Sequence, residues 1–64
     1  MKQFKYNGYN RLDIYQFLAH ADIQAIPKLN GIDGSLYFSY KGKSYDIFNG
    51  QTISIDEQQT ITIG

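Results

Sequence analysis

The side chain best suited to acid–base chemistry in this sequence is its single histidine, His20. Histidine titrates near neutral pH, and Asp13 and Gln16 share its side of a helix if this segment is helical. A histidine in the last turn of a helix is also favoured simply because a cation there interacts well with the helix dipole. The sequence has no cysteine, and no serine in a G-x-S-x-G turn, to act as a nucleophile. We therefore expect a protein that is not an enzyme and has no catalytic residue.

Two segments combine oxygen ligands without the spacing of a metal site. Asn30-Gly31-Ile32-Asp33-Gly34 places an amide, a carboxylate and glycines together, but it lacks the spaced acidic residues and terminal glutamate of an EF-hand. Asp56-Glu57 is typical of a hairpin tip. One histidine and no cysteine also exclude an ordinary structural zinc site. We expect both segments to be turns and the protein to bind neither a metal nor a cofactor.

Basic and aromatic residues suggest an alternative chemistry, the binding of single-stranded nucleic acid. Residues 41–48 share the basic-glycine start and two aromatic positions of the RNA-recognition-motif signature, although two further positions depart from it and the chain is too short for that fold. An exposed sheet face with Tyr37 and Phe48, and with Lys41 and Lys43 at its rim, can still stack bases and hold a phosphate backbone. Such a surface is one of two candidate binding sites.

A single helix is predicted from Arg11 to about Ala21, because this stretch lacks glycine and proline and Asn10 is suited to the N-cap. One side of this helix carries a core stripe, made of Ile14, Phe17, Leu18 and Ala21. A second side carries Leu12, Tyr15 and Ala19. The helix is therefore apolar over more of its circumference than one sheet can cover.

Strands are predicted by a period-two alternation that recurs four times after residue 35. A two-residue turn at Lys41-Gly42 sets Phe38 opposite Tyr45. A three-residue loop at 49–51, with Gly50 at positive φ, is expected to set Ile47 opposite Ile53, and a loop around Gln58 to set Ile55 opposite Ile61. The predicted inner face comprises Leu36, Phe38, Tyr40, Tyr45, Ile47, Ile53, Ile55, Ile61 and Ile63. The predicted outer face comprises Tyr37, Ser39, Ser44, Asp46, Phe48, Thr52, Ser54, Thr60 and Thr62.

These elements predict an α+β fold, in which one helix packs on a strongly bent antiparallel β-meander, with a small open barrel as the limiting form. A short strand around Phe4 and Tyr6 precedes the helix, and Ile23 to Leu29, broken by Pro27, is expected to be an extended edge segment. Residues 1–64 form a single domain in this prediction, since no linker or repeat divides them.

Charge and length limit the partners. Six Lys and Arg balance six Asp and Glu, so the chain lacks the strong field of a basic nucleic-acid binder or an acidic mimic of DNA. No apolar run approaches the ~20 residues of a membrane span, and the start of the chain lacks the apolar stretch of a signal peptide. We expect a cytoplasmic protein with no membrane partner.

Aromatic content favours a protein partner. Ten of the 64 residues are aromatic, six of them tyrosine, and tyrosine is enriched at protein interfaces. Together with the second apolar side of the helix, this excess predicts a partner-binding surface that uses Leu12 and Tyr15 on the helix and Tyr37 and Phe48 on the sheet. A chain of this length without disulfides needs either good packing or self-association for its stability. Together with the aromatic excess, this leads us to expect a homodimer.

The order of motifs resembles a group of small phage-encoded accessory proteins of unknown role. The similarity consists of Tyr9-Asn10, a helix from Ile14 to Leu18, Gly34-Ser35-Leu36, Gly42 and Gly50-Gln51-Thr52-Ile53. The tryptophans of those proteins are absent here, and no functional residue carries over. The resemblance implies a compact phage or mobile-element protein that binds and inhibits a host or defence protein in the bacterial cytoplasm.

Overall fold

The computed structural model describes residues 1–64 and contains one helix and six strands. In chain order these are β1 (Lys2–Lys5), α1 (Arg11–His20), β2 (Lys28–Leu29), β3 (Leu36–Tyr40), β4 (Lys43–Ile47), β5 (Thr52–Ile55) and β6 (Ile61–Ile63). The strands form two antiparallel sheets: a terminal sheet in the order β1-β5-β6 and a central sheet in the order β2-β3-β4. The α+β prediction is confirmed, and the strands do not close into a barrel. The structure has no helix able to span a membrane.

The core side of α1 matches the predicted stripe. Ile14 and Leu18 are fully buried, and the Phe17 ring packs against the ring of Phe4 on β1 with 5.5 Å between centroids. Asn10 occupies the N-cap position, but the expected side-chain cap is wrong. Its Oδ1 accepts from the Asn7 N–H at 3.0 Å and its Nδ2 donates to a β1 carbonyl, so this side chain holds the preceding turn instead.

The C-terminus of α1 ends in a Schellman motif. The Ile23 N–H donates to the Leu18 carbonyl at 2.9 Å, and the Asp22 N–H donates to the Ala19 carbonyl at 3.1 Å. Asp22 has a φ of 59°, the left-handed conformation that glycine usually supplies at this position. Ile23 and Leu18 are both buried, which provides the apolar contact that accompanies this motif.

The central hairpin confirms the predicted register. Phe38 pairs with Tyr45 and Leu36 with Ile47, and the Phe38 and Tyr45 rings stack with 5.3 Å between centroids. Lys41 and Gly42 both have positive φ, 51° and 79°, the combination found in a two-residue type I′ turn. This turn matches the right-handed twist of the strands that it joins.

The predicted pairing of β4 with β5 is wrong. The register of β5 with β6 is as predicted, with Ile55 opposite Ile61, but the other edge of β5 pairs with β1. Phe4 lies opposite Ile53, at the place expected for Ile47. Gly50 does adopt a positive φ of 93°, yet its loop connects two sheets rather than two paired strands.

Backbone bonds to Tyr6 explain this exchange of partners. Tyr6 donates from its N–H to the Gln51 carbonyl at 2.9 Å and accepts at its carbonyl from the Gly50 N–H at 2.7 Å, so β1 extends along the loop that leads into β5. The Tyr6 side chain is fully buried, and its hydroxyl donates to the Gly34 carbonyl at 2.8 Å. Tyr6 therefore ties the terminal sheet to the loop before β3.

The core lies between the two sheets and α1. The residues predicted to form the inner face are all buried or half-buried. The buried apolar cluster comprises Tyr6, Ile14, Leu18, Ala21, Ile23, Leu36, Phe38, Ile47, Ile53, Ile55 and Ile61. Gln59 closes the structure at one end: it accepts from the Tyr40 hydroxyl and donates to the Ala21 carbonyl, both at 3.1 Å. These two bonds join the central sheet to the end of α1.

Candidate functional site

A groove of about 710 Å³ lies between the second side of α1 and the edge of the central sheet. Its lining residues are Tyr15, Ala19, Asp22, Ile23, Gln24, Ala25, Ile26 and Ser39. Most of these are apolar, and Ile26 is 79% exposed. An isoleucine this exposed stabilises the isolated fold little, because nearly all of its surface remains in water.

The position of Ile26 follows from the alternation of the segment between α1 and β2. Ile23 and Pro27 are buried and Ala25 is half-buried, so Gln24 and Ile26 point away from the core. Of the segment predicted to be an extended edge, Lys28–Leu29 forms an edge strand that pairs with β3, whereas residues 23–27 form no ladder. Ile26 is not among the predicted site residues, yet the period-two alternation of this segment could have identified it as outward-facing.

Leu12 and Tyr15, the two predicted partner-binding residues of the helix, lie on the groove side of α1. The Tyr15 hydroxyl donates to the Pro27 carbonyl at 2.9 Å, which fixes the ring over the segment that follows the helix. Leu12 lies one turn earlier, three residues before Tyr15, and is 68% exposed. The apolar surface of the groove therefore continues along the helix.

Tyr37, the predicted residue of the sheet, occupies the middle strand of the central sheet and is exposed. A smaller groove of about 230 Å³ beside it is lined by Ile26, Lys28, Tyr37, Phe38 and Ser39. Because Ile26 and Ser39 line both grooves, the structure joins Tyr15 to Tyr37 in one surface. Phe48 lies past the end of β4, on the opposite side of Tyr37 from Ile26, and lines neither groove.

The structure does not place Lys41 and Lys43 beside Tyr37. Lys43 pairs with Tyr40, and directly opposed residues project from the same face, so Lys43 shares the inner face of the central sheet. The Lys41 ammonium lies 5.3 Å from the centroid of the Tyr40 ring, within reach of a cation–π interaction. Both lysines line a cleft of about 250 Å³ that also includes Tyr45 and Thr60. Tyr40 and Tyr45 are therefore neighbours of the lysines in place of the predicted Tyr37 and Phe48.

The other polar positions form turns and helix ends. His20 is exposed, and its carbonyl accepts a hydrogen bond from the Lys2 ammonium. In the loop before β3, Asn30 accepts from the Ile32 N–H at 3.0 Å, and the Asp33 carboxylate accepts from Ser35. The bond from the Ser35 hydroxyl, helped by that from the Ser35 N–H, holds the pKa of Asp33 below its ordinary 3.8. This segment is a turn, as predicted.

Comparison with known proteins gives no relative: no family model, no curated protein and no solved structure matches this chain.

Proposed function

We propose that this protein is a non-enzymatic protein-binding module that inhibits a host or defence protein by covering part of its surface. The observation that carries this proposal is the apolar lining of the 710 Å³ groove, which includes Tyr15 and Ile26, with the exposed Leu12 one helical turn before Tyr15. The inhibitory role and the site of action in the host cytoplasm are proposed from the motifs, described above, that resemble small phage-encoded accessory proteins.

The energetics of the groove favour binding over folding as its role. Burying an apolar side chain of this size contributes about 1.5–3 kcal/mol, and Ile26 and Leu12 realise little of this in the isolated chain because they are 79% and 68% exposed. Tyr15 is held in place by its bond to the Pro27 carbonyl, so a partner would meet a ring that is already ordered. A preformed, partly aromatic groove of this kind accepts an apolar side chain of another protein.

The test of this proposal uses a matched pair of exposed isoleucines. Ile26 lines the groove, whereas Ile32 lies in the turn before β3, outside both grooves, and is 96% exposed. The tagged wild-type chain and the variants Ile26→Ser and Ile32→Ser are incubated with nuclease-treated bacterial lysate, and bound proteins are identified by mass spectrometry. We expect one stoichiometric protein with wild type and Ile32→Ser, and its loss with Ile26→Ser.

Leu12→Ser provides an independent second variant on the helix. Leu12 has no hydrogen-bonding role, whereas a change at Tyr15 would also remove the bond to Pro27, so Leu12 is the cleaner position. Circular dichroism should be unchanged in this variant while capture falls. If Ile26→Ser and Leu12→Ser still capture the same protein as wild type, the proposal is contradicted. Once a protein is captured by the wild-type chain, inhibition is tested by measuring that protein's own activity with and without the chain.

The second candidate function is the binding of single-stranded nucleic acid, now in the cleft that contains Lys41, Lys43, Tyr40 and Tyr45. The observation that favours it is the position of the Lys41 ammonium over the Tyr40 ring, beside a second lysine on the same face. Aromatic rings that stack on bases and lysines that hold phosphates are the usual components of such sites.

This alternative predicts binding that weakens with salt. A fluorescent single-stranded oligonucleotide titrated with the protein should show a falling association constant as the salt concentration rises, and a smaller salt slope for the double variant K41E/K43E. The variant Lys5→Glu, on the terminal sheet, is the matched control. An association that responds to neither salt nor K41E/K43E would remove this candidate.

A further inference from the structure

The outer face of the central sheet carries a pattern of charge that is complementary to itself. Lys28 on β2 and Asp46 on β4 both lie directly opposite Tyr37 on β3, one on each side. Opposed residues share a face, so these three side chains form one row across the sheet, with a cation and an anion about 10 Å apart, two interstrand spacings. All three residues are exposed.

We propose that two copies of this chain pack face to face through this row, which makes the protein a homodimer of sheets. When a two-fold axis runs along β3, Tyr37 meets the same residue of the second copy, and each Lys28 lies over the Asp46 of the other copy. A two-fold axis perpendicular to β3 would instead set like charges over one another. The charges therefore select a single one of the two symmetric arrangements.

The residues next to this row allow the sheets to approach. Ser39 and Ser44 form the neighbouring pair on the same outer face, and their short side chains leave room beside the two Tyr37 rings that meet at the axis. Two aligned sheets pack about 10 Å apart, and large side chains that project into the space between them normally fill this separation. Tyr37 is 43% exposed in the single chain, so this contact would bury apolar surface that folding leaves in water.

A second copy fits this face better than an unrelated partner does. The chain has zero net charge, and its charges around Tyr37 occur as one cation and one anion at equal distances. Under two-fold symmetry each charge of this pattern meets the opposite charge of the second copy, so no patch of excess charge is needed on a different protein. This inference does not rest on the proposed function, because it is argued from the charges of the Tyr37 row, whereas that function is argued from the apolar groove, which adjoins this row at Ile26 and Ser39.

Charge reversal followed by charge exchange tests the arrangement. Sedimentation equilibrium of the purified wild-type chain over a wide range of concentration should show a monomer–dimer equilibrium that weakens at high salt. Lys28→Glu and Asp46→Lys should each weaken the dimer about 30-fold, because each variant replaces two attractive contacts with repulsive ones, a change of about 1 kcal/mol for each contact. The double variant K28E/D46K restores opposite charges and should return the dimer to within about threefold of wild type.

Controls separate this effect from general changes of charge. Lys5→Glu makes the same substitution on the outer face of the terminal sheet, where Lys5 pairs with Thr52, and should leave the dimer unchanged. Circular dichroism checks that every variant remains folded. A wild-type chain that stays monomeric at all concentrations would overturn the proposal. So would a dimer whose dissociation constant is unchanged in both single variants, or one that K28E/D46K does not restore. Capture of a foreign protein by the groove is a separate measurement, so either proposal can fail alone.

Discussion

The outer face of the terminal sheet is a row of polar side chains, Gln3, Ser54 and Thr62, whereas the equivalent position of the central sheet is occupied by Tyr37. In the terminal sheet the Gln3 amide donates to the Ser54 hydroxyl at 3.3 Å, so that face is satisfied within the chain. The inner faces of the two sheets are alike, since Ile53 and Leu36 are both fully buried. Folding requires the inner faces, and the terminal sheet shows that it does not require an aromatic outer face.

The difference indicates that the terminal sheet supports the fold and the central sheet carries the exposed apolar surface. Both grooves around Ile26 include residues of the central sheet, and neither includes a residue of the terminal sheet. The terminal sheet pairs the start and end of the chain, β1 and β6, on either side of β5, and so acts as the scaffold. The proposed protein-binding surfaces belong to the central sheet and the side of α1 next to it, whereas the cleft with Lys41 and Lys43 also includes Ile61 of β6.

The largest expected effect comes from truncating one buried side chain on either inner face to alanine. Ile53→Ala in the terminal sheet and Leu36→Ala in the central sheet should each lower the free energy of unfolding by about 2–5 kcal/mol, because both side chains are fully buried. Urea unfolding measures both losses. A loss below about 1 kcal/mol in either variant would show that the two inner faces are not equivalent.

Tyr6 connects the two sheets, and removing its hydroxyl should have a smaller effect. Tyr6→Phe leaves the ring in place but removes the bond to the Gly34 carbonyl, so we expect a loss of about 0.5–1.5 kcal/mol. Tyr9→Phe is the control, because Tyr9 is 94% exposed and its hydroxyl makes no such contact. Equal thermal unfolding temperatures for the two variants would contradict a linking role for the Tyr6 hydroxyl.

A stabilised background would sharpen both comparisons. Asp22 has a φ of 59° at the C-terminus of α1. A side chain is sterically strained at this φ and glycine is not, and a negative charge interacts unfavourably with the negative end of the helix dipole. Asp22→Gly should therefore raise the free energy of unfolding by about 1 kcal/mol, and Asp22→Asn, which removes only the charge, by less. Urea unfolding that places Asp22→Gly below wild type would show that the carboxylate has a structural role.

The smallest effect is a pH dependence in the loop before the central sheet. The hydrogen bonds from Ser35 lower the pKa of Asp33, so this carboxylate stabilises the fold above its ordinary pKa of 3.8, and the contribution is lost as the pH falls through the lowered value. In Ser35→Ala the stronger of these bonds is gone and the pKa should move back towards 3.8. An NMR titration of the Asp33 side chain measures the shift, and an unchanged pKa in Ser35→Ala would refute the assignment.

Local patterns were sufficient to predict much of this fold. The helix, the register at Lys41-Gly42 and the pairing of Ile55 with Ile61 follow from side-chain periodicity and from the conformations that short turns allow. Leu12 and Tyr15 could be identified as surface residues because α1 has two apolar sides and only one can face the core. The candidate site was thus predicted in part.

Pairing across the chain was beyond the reach of those patterns. The alternation of side chains shows which side of β5 is apolar, but either Ile47 or Phe4 could lie opposite Ile53 on that side. β1 pairs with β5 because the backbone of Tyr6 extends the ladder with bonds to Gly50 and Gln51. The cleft with Tyr40 and its lysines also depends on contacts between distant residues. The same holds for the groove at Ile26.

The sequence by itself determined which residues face inward, where the chain turns, and that charge is balanced over the whole molecule. The tertiary structure decided that the strands divide into two sheets, that Ile26 joins Tyr15 to Tyr37, and that Thr60 lines the same cleft as Lys43. The physical reason is range. Alternation and turn chemistry act between neighbours along the chain, whereas the assembly of a surface depends on which distant strands compete most successfully for each hydrogen-bonding edge.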